Sequence, residues 1–307
     1  MTAPGPAAAA DGAHAFEHGF GPDRSGQRRA LAWALGVNAV LLAAEVVGGV
    51  LFGSLALLAD AAHLLSDVAG LGVALWAVAV AVRPVSATHS FGFARAEVMA
   101  AQVSALLLLG AGVWVVVASI GRLRDPVDVN GAGLVAVATL GVLVNAGSAL
   151  VVHRAQGASL NMRASVAHLA TDAAGSLAAI LAGLAIVVWG WLAADSIASL
   201  ATAALMLWAG WRLLRESTHV LMEGTPRGLA PEAVRAAICA VDGVVEVHHL
   251  HLWNLASDDP ACSAHVVLVG PLTLRQAHAA SASVKGVLAA QFDLTHVTLE
   301  LEEDTPD

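Results

Sequence analysis

The stretch LALLADAAHLLSDVAGLGVALWAVAVAV, residues 55–82, decides what kind of protein this is. As a helix it is long enough to cross a hydrocarbon core of about 30 Å. His63 and Asp67 stand inside it, four residues apart and so on one helix face. The apolar segment 164–188 repeats the pattern with His168 and Asp172. An ionisable side chain in hydrocarbon is costly and marks a functional site by default. Two imidazoles and two carboxylates together make a full tetrahedral ligand set for a divalent metal such as zinc.

Depth arithmetic lets the two pairs share one ion. His63 and Asp67 fall about 12–18 Å from the outer start of their segment, and His168 and Asp172 about 6–12 Å from the inner start of theirs. Across about 30 Å of hydrocarbon these depths meet near the midplane. Two other readings stand beside the metal site. One is a polar helix–helix contact with each Asp accepting from its His. The other is a proton relay without metal. Asp60, three residues before His63, reads either as a residue of the site's mouth or as a support for its ligands. Asn38, Glu45 and Asn145 read as interhelical hydrogen-bonding residues.

Outward from these segments the composition agrees. The chain of 307 residues is 58% hydrophobic and 13% charged, where soluble domains carry about 25% charged residues. Its net charge of -9 argues against nucleic acid as a partner. Cys239 and Cys262 form no CxxC and suggest no disulfide framework. The chain carries no HExxH, nucleophile elbow or Walker motif, so a protease, a serine hydrolase or an ATPase is not expected. The expectation is a transporter rather than an enzyme, with no organic cofactor.

Six apolar segments are expected to span the lipid bilayer, near 31–51, 55–82, 98–120, 131–152, 164–188 and 192–213. With the N-terminus inside, the inner flanks hold Arg24, Arg28, Arg29, Arg83, Arg95, Arg154, Arg163, Arg212 and Arg215, while the outer loops hold Arg122 and Arg124. That bias places both termini in the cytoplasm. Residues 1–27, rich in Ala, Gly and Pro, are expected to be a disordered cytoplasmic tail, its His14 and His18 solvated. Residues 28–215 form the expected transmembrane domain and 216–307 the cytoplasmic one. In the latter, Pro231 to Val241 reads as a helix, Val244 to Leu255 and Ala261 to Val269 as strands, Leu272 to Ala290 as a helix and Phe292 to Glu302 as a strand. The order α-β-β-α-β suggests a small ferredoxin-like α+β domain, with one face or edge open to a partner. Strict alternation puts His249 and His251 on the opposite face from His248.

The run Gly53-Ser54-Leu55-Ala56-Leu57-Leu58-Ala59-Asp60-Ala61-Ala62-His63-Leu64-Leu65-Ser66-Asp67 resembles the second-helix signature of the cation diffusion facilitator family. His89-Ser90-Phe91-Gly92-Phe93-Ala94-Arg95-Ala96-Glu97 is similar to the loop that follows it, and His168-Leu169-Ala170-Thr171-Asp172 to the fifth-helix motif. The resemblance implies a homodimeric metal/proton antiporter of the cell (inner) membrane that expels Zn²⁺, its transported substrate, with His63 setting selectivity. It implies a charge pair between Arg95 and Glu223 that locks the membrane and soluble parts at the dimer interface. It also implies a regulatory zinc site with His248, His265, His278 and His296, although Thr298 replaces a further ligand. In the loop only His89 matches an accessory metal position. Ser86 and Phe93 are poor ligands, so no loop site is expected.

Overall fold

The computed structural model describes residues 24–80, 88–93, 95–155, 160–256, 259–270 and 273–304. Expectations for residues 1–23 of the tail, His14 and His18 included, and for Arg83 and Ser86 lie outside these residues, whereas residues 24–27, expected in the disordered tail, belong to the first helix. Among the described residues six long helices come first: α1 (Arg24–Leu51), α2 (Leu55–Val80), α3 (Ala96–Arg124), α4 (Gly131–Ala155), α5 (Leu160–Trp189) and α6 (Ala193–Leu221). Four of these, α3 to α6, contain stretches long and apolar enough to cross a membrane. The helix α6 runs on to Leu221, past the expected domain boundary at 215. Arg212, Glu216 and Arg227 explain the extension, because the Glu216 carboxylate accepts from both arginines and holds the polar last turns together.

The helices pack in two strong pairings, α3 along α6 and α4 along α5. Small residues allow the second. A methyl group on Gly183 would lie 2.7 Å from Val135 Cγ2, and one on Gly131 the same distance from the Gly183 carbonyl. Any side chain there would force the two backbones apart. The buried contacts along this seam are small too, with Ala138, Ala179 and Ala182 beside Leu57 and Leu134.

The N-terminus of α2 is held by a distant residue. Ser54 caps the helix, its Oγ accepting from Leu57 N at 3.2 Å. Asp195, in the first turn of α6, accepts from Ser54 Oγ at 2.6 Å, Leu55 N at 2.8 Å and Ala56 N at 3.2 Å. These are orphan donors of a helix start, and a carboxylate there also complements the helix dipole. Arg122, at the end of α3, lies 3.6 Å from Asp195 and donates to the Gly53 carbonyl. Gly53 has φ +68°, which glycine adopts without strain, and so the chain turns between α1 and α2 in three residues.

The C-terminal domain has the expected order: α7 (Pro231–Cys239), β1 (Val244–Ala256), β2 (Asp259–Leu268), α8 (Leu274–Phe292) and β3 (His296–Glu303). Pro231 sits in the first turn of α7, where its missing N–H costs nothing. Thr273 and Gln276 cap α8 reciprocally. The sheet is mixed, in the order β1-β2-β3, with β1 antiparallel and β3 parallel to β2. Val234 and Ile238 of α7 and Val284 and Leu288 of α8 cover one sheet face, meeting Val247, Leu252, Cys262, Ala264 and Val266. The other face carries polar side chains.

That polar face departs from strict alternation. His248 pairs with His265, and His251 pairs with Ser263, so β1 has one residue more than β2 between the two pairs. This is a β-bulge. His249 takes φ +47° within it, a left-handed conformation that non-glycine residues rarely adopt. The extra residue returns His251 to the same face as His248. The expectation of opposite faces for His249 and His251 is therefore corrected.

Candidate metal centre

Asp60, His63 and Asp67 lie along one face of α2, at spacings of three and four residues. That face meets α5, where Asp172 and Ser176 are likewise one turn apart. His63 Nε2 lies 3.0 Å from Asp172 Oδ1, a hydrogen bond between helices 109 residues apart in sequence. The same Nε2 is 3.9 Å from Asp67 Oδ2. The donor atoms of His63, Asp67 and Asp172 all fall within 4.8 Å of one another. Asp172 is 5% exposed. His168 is on α5, one turn before Asp172, and its side chain lies outside the described ones.

Around the triad the structure narrows one reading and changes another. Asp60 is buried, which disfavours the mouth position of its two readings, and its Oδ2 accepts from Ser176 Oγ at 2.9 Å. Glu45 is buried, but neither of its carboxyl oxygens has a hydrogen-bond partner among the described residues, so it is not the interhelical hydrogen bond expected. Asp195 belongs to no motif, although it carries the same signal, a carboxylate inside an apolar segment.

A histidine and two carboxylates from two helices, in a largely apolar bundle, can hold a divalent cation of the zinc type. Comparison with known proteins agrees with that chemistry. Residues 31–222 match the cation efflux transmembrane domain, and residues 226–304 match the cytoplasmic domain of cation efflux proteins. The chain belongs to the cation efflux family. It is 36% identical over 294 residues to the zinc transporter ZitB of Escherichia coli, covering 94% of this chain and 92% of that protein. It is 35% identical over 289 residues to the metal cation efflux system protein CzcD of Cupriavidus metallidurans, covering 94% and 89%. A cadmium, cobalt and zinc/H(+)-K(+) antiporter of Bacillus subtilis is 33% identical over 262 residues, 85% of this chain and 84% of that one. The chain is thus a multi-pass membrane protein of a cation efflux family, and the family indicates transport rather than catalysis.

The cation efflux cytoplasmic domain holds the second group of metal-ligating side chains. The bulge in β1 brings the His249 ring within 5.1 Å of His248 and 4.8 Å of His265, centroid to centroid. Glu302 lies between two of them, accepting from His265 Nδ1 at 2.6 Å and from His248 Nε2 at 3.0 Å. The His265 hydrogen bond, seconded by His248, holds the Glu302 carboxyl below the usual carboxylate range. Glu300 Oε2 is 3.4 Å from His265 Nε2. Of the four expected histidines, His248 and His265 come together. His296 pairs with Ala261, four strand residues from His265, and His278 is exposed on α8. His89 stacks on Phe93 at 4.5 Å in the loop before α3. Arg95 and Glu223 form the expected charge pair within one chain, with Nη2 and Oε1 3.0 Å apart.

Proposed function

We propose that this protein is a secondary transporter that exports Zn²⁺ from the cytoplasm in exchange for protons, holding the ion between His63, Asp67, His168 and Asp172. The reading is carried by the approach of His63 Nε2 to Asp172 Oδ1, at 3.0 Å, with Asp67 Oδ2 at 3.9 Å from the same nitrogen. Four-coordinate zinc, about 2.0 Å from each ligand, sets neighbouring ligand atoms roughly 3.3 Å apart. That spacing falls between the two distances, so these two contacts need change only by tenths of an ångström. Magnesium and calcium require all-oxygen shells of six or more and suit this set poorly.

The chemistry of exchange follows from the donors. A cation binds the ionised carboxylates and the neutral imidazole, and takes over the contact that the His63 N–H makes with Asp172. Protons compete for the same atoms on the other side of the membrane, where histidine titrates close to neutrality. Rocking of one helix group against another alternates access. His63 sets selectivity, because it supplies the soft donor of the described triad.

The finer architecture belongs to the same proposal. Six helices span the membrane with both termini cytoplasmic, supported by the six long helices and the arginine bias of the inner flanks. The cytoplasmic domain is ferredoxin-like and dimerises, supported by a sheet face that its own helices leave open. Zinc also acts there as a regulatory ligand, with His248, His249, His265 and Glu302 as the donors one chain supplies. A second reading of the cargo, cadmium or cobalt alongside zinc, is favoured by the name of the Bacillus relative.

Zinc flux into proteoliposomes, measured with and without an imposed pH gradient, tests the proposal. The gradient is expected to accelerate flux, and Asp172→Ala to lower it by more than about tenfold. Wild-type flux in that variant would remove the site. Flux indifferent to every imposed gradient would make the protein a channel.

A further inference from the structure

A second group of buried acids lies beside the metal-binding triad, and zinc ligation makes no use of it. Glu45 of α1 is 1% exposed and both its carboxyl oxygens lack hydrogen-bond partners among the described residues. Asp60 of α2 is 6% exposed and bonded to Ser176 of α5. The two acids are linked through one point in space. A methyl group on Gly141 of α4 would sit 3.0 Å from Ser176 Oγ and 3.3 Å from Glu45 Oε1. Glu45 is therefore aimed at the Asp60–Ser176 pair across a cradle that the bare Cα of Gly141 leaves open. Four helices contribute to it.

A carboxyl buried without a donor is stable only with a proton on it or a cation against it. Among the described residues, the charged groups that act on Glu45 are Asp60 from α2 and Asp172 from α5, both acidic. From α4 the cradle receives Gly141, which is neutral. Asp172 thus belongs to both neighbourhoods: it is a member of the triad, and its charge acts on Glu45. A divalent ion arriving at Asp172 places positive charge next to whatever cation Glu45 carries, and in a medium of low dielectric that repulsion is strong.

We propose that Glu45 and Asp60, across the Gly141 cradle, form the binding site of the monovalent counter-cation, proton or potassium, that moves against the divalent ion. The inference rests on the antiport reading above. It places the counter-ion on side chains other than the metal ligands: Glu45 is on a different helix from all of them, and Asp60 lies a helical turn from His63. Coupling then arises from charge repulsion through Asp172 as well as from competition for the ligands themselves.

The full-length protein in proteoliposomes tests this with three variants. Glu45→Gln removes the charge, Gly141→Ala fills the cradle and keeps both acids, and Glu45→Asp restores a carboxylate. Zinc binding by equilibrium dialysis is expected to stay within about threefold of wild type in all three. Zinc flux is driven in one arm by a pH gradient at symmetric potassium, and in the other by a potassium gradient at symmetric pH. The arm to which wild type responds identifies the counter-ion. Glu45→Gln and Gly141→Ala are expected to lose that response by about fivefold or more, and Glu45→Asp to recover part of it. Normal zinc binding with a wild-type gradient response in Glu45→Gln would overturn the proposal. If Glu45→Gln fails to bind zinc, Gly141→Ala decides, and a wild-type response there overturns it. Loss of zinc binding in both overturns it also, since the acids would then belong to the metal site. A wild type that responds to neither gradient removes the antiport, and this site with it.

Discussion

Cys239 and Cys262 share the cytoplasmic domain and differ in almost every property that governs a thiol. Cys239 ends α7 and is exposed. Cys262 points into the core between sheet and helices at 1% exposure, and burial pushes its thiol up to about 11. At pH 8 such a group is ionised in only about one molecule in a thousand. The thiolate is the nucleophile, and a raised value delays its appearance until the pH climbs. Iodoacetamide at pH 8 is therefore expected to alkylate Cys239 in the folded full-length protein and to spare Cys262 until denaturant is added. Mass spectrometry of the digested protein reads the outcome, and equal labelling would show that the sheet opens in solution. The same logic of charge and burial made His63, Asp67 and Asp172 legible in the sequence, since each is an ionisable group where hydrocarbon is expected. Glu45 and Asp195 carried that signal too. Glu45 reads from sequence only as a hydrogen-bonding residue and Asp195 is missed, because neither belongs to a repeated pair and a lone acid in an apolar segment does not say which helix it will meet.

Among the elements, α2 is the one whose placement decides the site, and Asp195 decides α2. Its carboxylate answers three donors at the helix start, and the sequence gives no hint of that contact because 141 residues separate Ser54 from Asp195. Removing an N-cap typically costs about 1 kcal/mol, and each buried donor left alone about 1–3 kcal/mol more. Asp195→Ala is accordingly expected to destabilise the detergent-solubilised protein by about 2–4 kcal/mol, seen as a fall of several degrees in Tm by scanning fluorimetry. Asp195→Asn is expected to fall less, since its amide oxygen still accepts. An unchanged Tm in Asp195→Ala would mean that water satisfies the donors instead. Long apolar runs announced the helices, and alternation announced the strands of the cytoplasmic domain. The bulge was not legible, because β1 has no glycine where the extra residue sits and His249 adopts the strained conformation itself. Nor did any residue in β3 declare that it would run parallel to β2; that pairing is a property of the crossover through α8.

In the whole molecule, the ligands are divided between two groups of helices. Asp195 and Arg122 tie the start of α2, the end of α3 and the start of α6 together, and α3 packs along α6. The glycine seam joins α4 to α5. His63 and Asp67 ride with the first group and Asp172 with the second, and an ion held as proposed would add a bridge to the His63–Asp172 hydrogen bond that spans the two. Spin labels at the exposed positions Leu65 on α2 and Leu181 on α5, in a Cys239→Ser background, are expected to give a narrower distance distribution when zinc is added. Asp172→Ala is expected to abolish the narrowing, and a distribution indifferent to zinc in the wild type would show that no ion bridges the groups. The three hydrogen bonds to Asp195 also pin one end of α2. An end pinned in this way is a fulcrum for any swing of the helix, and displacement grows with distance along the lever. A swing of about 10° moves His63, roughly 12 Å down the helix, by about 2 Å, but carries Val80, roughly 37 Å down, through about 6 Å. The proposed ion site lies near the pinned end, where a small travel is enough to loosen a ligand, while the far end of the same beam travels about three times as far.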